Sequence, residues 1–149
     1  MAYPPLVYYG TVAEYRLHYE RIYCNHSITT FDGIDVRFRK ERFDHCFCES
    51  TMRSQVKDAF SSERAQRIDW IKYALEDPNA ELYVGWDKKK KKHDPSHRVA
   101  LVVNDYIVVI RIRNNKTAQF VTAYVADTPS TLAKIKGSPK WVPLKNQSR

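Results

Sequence analysis

His45 stands in the middle of Arg42-Phe43-Asp44-His45-Cys46-Phe47-Cys48-Glu49. An imidazole titrates near working pH, so it can accept or donate a proton there. Helical spacing over residues 40–50 sets Glu49 one turn beyond His45, where a carboxylate would fix the ring in one tautomer. Metal-free cleavage of RNA needs such groups. The 2′-hydroxyl must lose a proton, the leaving oxygen must gain one, and negative charge builds on the phosphate oxygens between them. Guanidinium groups hold that charge through paired hydrogen bonds. Arg67, Arg111 and Arg113 are the candidates, with Arg64 a rival to Arg67. Thr122-Ala123-Tyr124 adds two hydroxyls at strand spacing, suited to positioning a phosphate or a base. Each set also has an ordinary reading: a surface helical pair, solvated cations, and good strand formers.

Other patterns narrow the chemistry. Cys24-x-His26 and His45-Cys46-x-Cys48 hold soft ligands, but Cys-x-Cys is not the Cys-x2-Cys spacing of a zinc knuckle. Phe47 between the two thiols also suits a helix core. No metal and no other cofactor is expected. Lys88, Lys89, Lys90, Lys91 and Lys92, followed by His93, would attract phosphates without regard to sequence. There is no Gly-rich phosphate loop, no recognisable Ser-His-Asp pattern and no DxD carboxylate pair.

Charge and composition agree with a polyanionic partner. The net charge is +8 over 149 residues, and the five-lysine run carries most of it, leaving the body mildly basic. Hydrophobic residues make up 43%, enough for a folded core without disulfides. Three cysteines, two of them a residue apart, fit a reduced cytoplasmic chain. Met1-Ala2-Tyr3-Pro4-Pro5 has neither a basic nor an apolar signal region, and no run is long enough to span a bilayer, so no membrane association is expected.

The elements that must position these groups follow from periodicity. Residues 1–10 read as an extended arm. Thr11 and Glu14 make a capping box, and Val12, Tyr15, Tyr19 and Ile22 share a helix face that fades near Asn25. Asp32-Gly33 turns a hairpin over residues 28–39, in which Ile34, Val36 and Phe38 alternate with Asp35, Arg37 and Arg39. A second helix covers residues 40–50, with Phe43 and Phe47 on its apolar stripe. A third starts at Ser61 or Ser62 and runs to about Glu76, before Pro78. Period 2 then takes over, with strands at 82–86, 99–103, 106–113 and 119–126. A charged connection at 87–96 and a tight turn at Asn104-Asp105 separate the first three. Thr128-Pro129-Ser130 opens a short last helix with Gly137 beyond it, and residues 138–149 form an irregular tail. The expected fold is one α+β domain over 1–149, with N-terminal helices packed on one face of a C-terminal four-stranded antiparallel meander sheet. Tyr106, Val108, Ile110 and Ile112 should meet the helices, as should Val121, Ala123 and Val125. Arg111, Arg113, Thr122 and Tyr124, with Phe120, should lie on the opposite, open face.

A His-bearing helix, an Arg-containing helix ending at Asp77-Pro78, a meander with Tyr106-Ile107-Val108-Val109, and a last strand reading Phe120-Val121-Thr122-Ala123-Tyr124 form a recognisable layout. It resembles the phage-associated branch of the barnase–EndoU–colicin–RelE-like (BECR) ribonuclease superfamily. The resemblance spans about residues 35 to 136, with a nuclease-like core over 40–136. It implies a metal-independent, toxin-like endoribonuclease acting in the cytoplasm, with RNA as substrate and an acidic antitoxin or immunity protein as partner. The positions it carries over are His45, Arg67 (or Arg64), Arg111, Thr122 and Tyr124. Attack by the 2′-hydroxyl would leave a 2′,3′-cyclic phosphate. The first helix, the Asp32-Gly33 arm and the lysine-rich connection depart from that layout. The reading from another class is a non-catalytic nucleic-acid-binding module or an accessory protein of a mobile element, since a fold alone does not guarantee catalysis. Oligomeric state does not follow from the sequence.

Overall fold

Thr11 opens the first helix, α1 (Val12–Tyr19): its backbone is extended and its hydroxyl accepts from the Glu14 amide. The computed structural model describes residues 3–49, 59–87, 89–114, 116–126 and 128–142 of the chain. A π-helical turn, Glu20–Cys24, continues α1. That wider turn brings Tyr23 onto the face of Tyr15 and Tyr19, so Tyr23 is fully buried and Ile22 only half. Val12, expected on the same apolar face, is exposed. Each buried tyrosine has a partner for its hydroxyl: Tyr15 donates to the Val7 carbonyl, Tyr19 to that of Arg39 and Tyr23 to that of Ile68. The arm at 3–10 is thereby tied down, and the Trp70 indole donates to the Pro4 carbonyl as well.

The hairpin forms as expected. Strands β1 (Ile28–Thr29) and β2 (Asp35–Arg37) pair antiparallel around a turn in which Gly33 takes φ +90°, a conformation open to glycine at little cost. Ile34, Val36 and Phe38 are buried. Helix α2 (Arg42–Phe47) comes next, but it stops before Glu49, earlier than the periodicity suggests. Cys48 is already extended, and Cys48–Glu49 form β3, paired with β4 (Ala59–Phe60). Ser61 caps α3 (Ser62–Gln66) through its hydroxyl. The expected single helix to Glu76 is instead two, with α4 (Trp70–Glu76) starting after a turn at 67–69. The carbonyls of Arg67 and Ile68 accept the hydroxyls of Tyr106 and Tyr23 there. His18 bridges Asp69 and Tyr9 beside them. These side-chain bonds satisfy backbone groups at the break.

The meander is present, within a larger sheet. Strands β5 (Glu81–Asp87), β6 (Lys92–Val102), β7 (Tyr106–Ile112) and β8 (Thr117–Val125) pair antiparallel in sequence. The first hairpin then joins the edge, because β2 runs parallel to the start of β8. The sheet is therefore six-stranded and mixed, in the order β1-β2-β8-β7-β6-β5, rather than four-stranded and antiparallel. Helices α1 to α4 supply the core on one face, against Tyr106, Val108, Ile110, Ile112, Phe120 and Ala123. The opposite face is not wholly open. Helix α5 (Pro129–Lys136), capped by Thr128, packs Leu132 and Ile135 over Tyr83, Val99, Leu101 and Ile107. The start of the tail is ordered rather than irregular: the Val84 amide donates to the Pro139 carbonyl, the Trp141 amide to that of Leu82, and Trp141 is buried. Residues 1–2 of the arm and 143–149 of the tail lie outside the described residues.

Two register shifts redirect side chains in the sheet. Val109 pairs with Thr122 but Ile110 pairs with Phe120, so Val121 is an extra residue in β8. This overturns part of the expected alternation: Phe120 enters the core with Ala123, while Val121 does not continue the inward row. The second shift lies between β5 and β6. Val84 pairs with Arg98 and Gly85 with Asp94, leaving Pro95, Ser96 and His97 as a three-residue bulge.

Candidate functional site

β2 covers only the first third of β8, at Thr117–Gln119. Beyond that point the outer edge of β8 has no strand partner among the described residues, and α2 lies against it. The Cys46 thiol donates to the Ala123 carbonyl at 3.5 Å, which blunts the edge. Arg64 of α3 then bridges helix and sheet: Nη1 donates to the Cys46 carbonyl at 3.4 Å, and the guanidinium lies 5.8 Å from the centre of the Tyr124 ring. His45 is exposed and adjoins Cys46, one Cα step of about 3.8 Å from the residue that touches Ala123. Thr122 and Tyr124 flank Ala123 and point to the opposite face from it. A guanidinium and two hydroxyls thus gather around one stretch of strand, and the helix that carries exposed His45 lies against its edge. Burial raises the affinity of the Tyr124 phenol for its proton, and Arg64 partly counters this, so Tyr124 is a neutral hydrogen-bond donor at neutral pH.

Of the two helix arginines, only Arg64 joins this group. Arg67 folds back instead, donating to the Glu63 carbonyl and stacking on Trp70. Glu49 does not stand one helical turn after His45, because the helix has ended; its backbone belongs to β3, and its side chain lies outside the described residues. Arg111 and Arg113 share the Thr122 face of the sheet and are exposed, as the alternation requires. Arg111 lies two residues along β7 from the partner of Thr122, so their side chains are diagonal neighbours on one face. Arg113 donates to the Gln119 side chain, and the Gln119 backbone opposes Arg111.

A histidine that periodicity passes over completes this surface. His97 sits in the β6 bulge, directly across from Arg111 on β7. Gly85 faces it from β5, and a Cβ at Gly85 would fall 2.6 Å from that of His97, so only glycine admits the close approach. Asp94 Oδ2 lies 3.3 Å from His97 Nδ1. The contact falls short of hydrogen-bond alignment, and Nδ1 is the ring nitrogen closed off from solvent. The Asp94 carboxylate is itself fixed, accepting from the amide and hydroxyl of Ser96; those bonds, with His97 alongside, hold its pKa below the ordinary carboxylate value. The sequence signal is Asp94-Pro95-Ser96-His97: a proline inside a strand marks a bulge, and bulges re-aim side chains.

The lysine run is not a long connection. Lys89–Lys91 make the turn of a β5–β6 ribbon that runs past the rest of the sheet, and Lys92 already belongs to β6. Asp87 accepts from the amides of Lys89 and Lys90, which depresses its pKa and pins the turn. Trp86 on the ribbon is 55% exposed and packs edge-on against His93. Lys88 lies outside the described residues. Among the described residues no group of three or more His, Cys, Asp or Glu could hold a metal ion, and no helix is long and apolar enough to cross a membrane.

No protein-family model, curated protein or solved structure matches this chain. The class that fold and site define is therefore an α+β domain with a basic, hydroxyl-bearing sheet face, flanked at the β8 edge by a histidine-bearing helix.

Proposed function

We propose that this chain is a metal-independent endoribonuclease of toxin-like type, with the layout of the BECR superfamily. The observation that carries the reading is Arg64, which joins the His45 helix to the Thr122–Tyr124 stretch of β8, beyond the reach of β2. His45 acts as the base on the 2′-hydroxyl. Arg64 and Arg111 receive the charge that develops on the phosphate oxygens, and Thr122 and Tyr124 position it by donating hydrogen bonds. Arg113 and the ribbon lysines hold the strand that leads in. The product is a 2′,3′-cyclic phosphate and a free 5′-hydroxyl. RNA is the partner, an acidic antitoxin or immunity protein fits the same basic face, and the place of action is the cytoplasm.

The test is direct. Purified protein should cut RNA in excess chelator. His45→Ala should abolish cutting and leave RNA affinity within about threefold, less than about 1 kcal/mol. The exposed Trp86 and basic ribbon favour a second reading, a non-catalytic RNA-binding module, in which wild type binds RNA with the same affinity as His45→Ala and cuts none.

A further inference from the structure

Cleavage by 2′-hydroxyl attack moves two protons, and His45 at the β8 edge serves one of them. We propose that His97 is the second proton-transfer group: its Nε2 gives a proton to the 5′-oxygen that leaves the phosphate bound by Arg111, while His45 takes the proton of the 2′-hydroxyl. This rests on the ribonuclease reading. The bond formed is 2′-oxygen to phosphorus and the bond broken is phosphorus to 5′-oxygen. His45 ends protonated, His97 ends neutral, and exchange with solvent restores both.

Four features of the site support the assignment. In-line displacement puts the attacking and leaving oxygens on opposite sides of phosphorus, so acid and base must approach from opposite sides. Helix α2, which carries exposed His45, lies against the outer edge of β8 and His97 stands on β6, with Arg111 on the strand between. Two strand spacings of about 4.8 Å separate β6 from β8, which leaves room for a phosphodiester between long side chains. His97 is oriented as proton-transfer histidines are: Nδ1 is turned to a carboxylate and buried, while Nε2 stays accessible, the side chain being 21% exposed. Finally, the position is built. His97 ends a three-residue bulge against β5 while pairing in register with Arg111, Ser96 locks Asp94, and Gly85 leaves the space. The groups facing the ring are Asp94 from its own strand and Arg111 from β7; Gly85 on β5 brings no charge.

The experiment uses the full chain in chelator and two substrates, a uridine–adenosine dinucleotide and uridine 3′-(4-nitrophenyl phosphate). Nitrophenolate leaves without needing a proton. His97→Ala should slow the dinucleotide by about 10²–10⁴-fold and the nitrophenyl ester by less than tenfold, and the alkaline limb of the pH–rate profile should disappear. Asp94→Asn retains the loop and should slow the dinucleotide more than the nitrophenyl ester. Melting curves show whether each variant is folded, and His97→Gln replaces any variant that is not. Equal loss on both substrates, or no loss on the dinucleotide, overturns the role of His97 while leaving the ribonuclease reading intact. A wild-type protein that cuts neither substrate removes both.

Discussion

Gly85→Ala tests whether the bulge holds His97 as tightly as its geometry requires. The new Cβ would lie 2.6 Å from the His97 Cβ. Carbon atoms pack best at about 3.5–4.0 Å, so β5 and β6 must part by roughly 1 Å. Both atoms are fixed to backbone, and no rotamer change relieves the contact. Overpacking of this kind costs about 1–3 kcal/mol. The lower unfolded-state entropy of alanine returns about 0.4–1 kcal/mol, leaving a net loss of about 1–2 kcal/mol. For a chain of this length that lowers Tm by roughly 2–8 °C. A displacement of this size next to reacting atoms slows cleavage by up to about 10²-fold. Thermal melts and RNA cleavage in chelator measure both effects. A double-mutant control is available because the clash is between Cβ atoms: the Gly85→Ala penalty should persist on a His97→Ala background and vanish on His97→Gly. Unchanged Tm with full cleavage, or the same penalty in the His97→Gly protein, would refute the reasoning.

Three further outcomes concern stability and RNA binding. Arg98 is 1% exposed, donates through Nη1 to both Asp32 oxygens, and stacks on Trp141 and Phe31; Asp32→Ala strands that charge and should cost about 3–5 kcal/mol in urea unfolding, with Arg98→Met recovering most of it. Tyr3, Tyr19, Tyr23 and Tyr106 all have pKa values raised by burial above the ordinary 10.0. Above about pH 10 the unfolded chain therefore loses protons that the folded chain keeps, and Tm should fall steeply there, with the phenolate absorbance of these four rings appearing only on unfolding; ionisation of these rings at constant Tm would contradict it. Replacing Lys89, Lys90, Lys91 and Lys92 by alanine should flatten the salt dependence of single-stranded RNA binding by about 0.7 log units per log unit of salt for each phosphate no longer neutralised, and an unchanged slope would exclude the ribbon from the interface.

The parts of this fold that periodicity exposes are those where one alternation runs unbroken. β7 is such a strand: Tyr106, Val108, Ile110 and Ile112 enter the core, and Arg111 and Arg113 point away, as their spacing requires. The Asp32-Gly33 hairpin is legible because only a few residue pairs make so tight a turn. What the hairpin joins is not, because the parallel pairing of β2 with β8 is a long-range contact that leaves no local mark. Helix ends are hidden for another reason. The stop at Phe47 and the break at 67–69 are set by tertiary partners, namely β4 for Cys48 and tyrosine hydroxyls for Arg67 and Ile68, which outweigh local propensity. Glu49 shows the consequence: its helical pairing with His45 assumes a turn of helix that β3 replaces.

The bulge in β8 explains how Phe120 and Thr122 come to face opposite sides of the sheet. With strict period 2 through β8, Phe120 and Thr122 would face the same way. One face would then have to bury a large aromatic ring beside a hydroxyl, or expose both. The extra residue at Val121 reverses the alternation, so Phe120 fills the core against Phe38 while Thr122 and Tyr124 stay on the arginine face. On β6 ordinary alternation separates neighbours: Arg98 is committed to a buried ion pair on the helix side, and His97, at the end of the bulge against β5, lies opposite Arg111 on the other. A regular sheet offers each strand only two faces in fixed order. Here the extra residue in β8 lets Phe120 serve packing and Thr122 polar chemistry, while Tyr124 packs against the cluster that α5 covers.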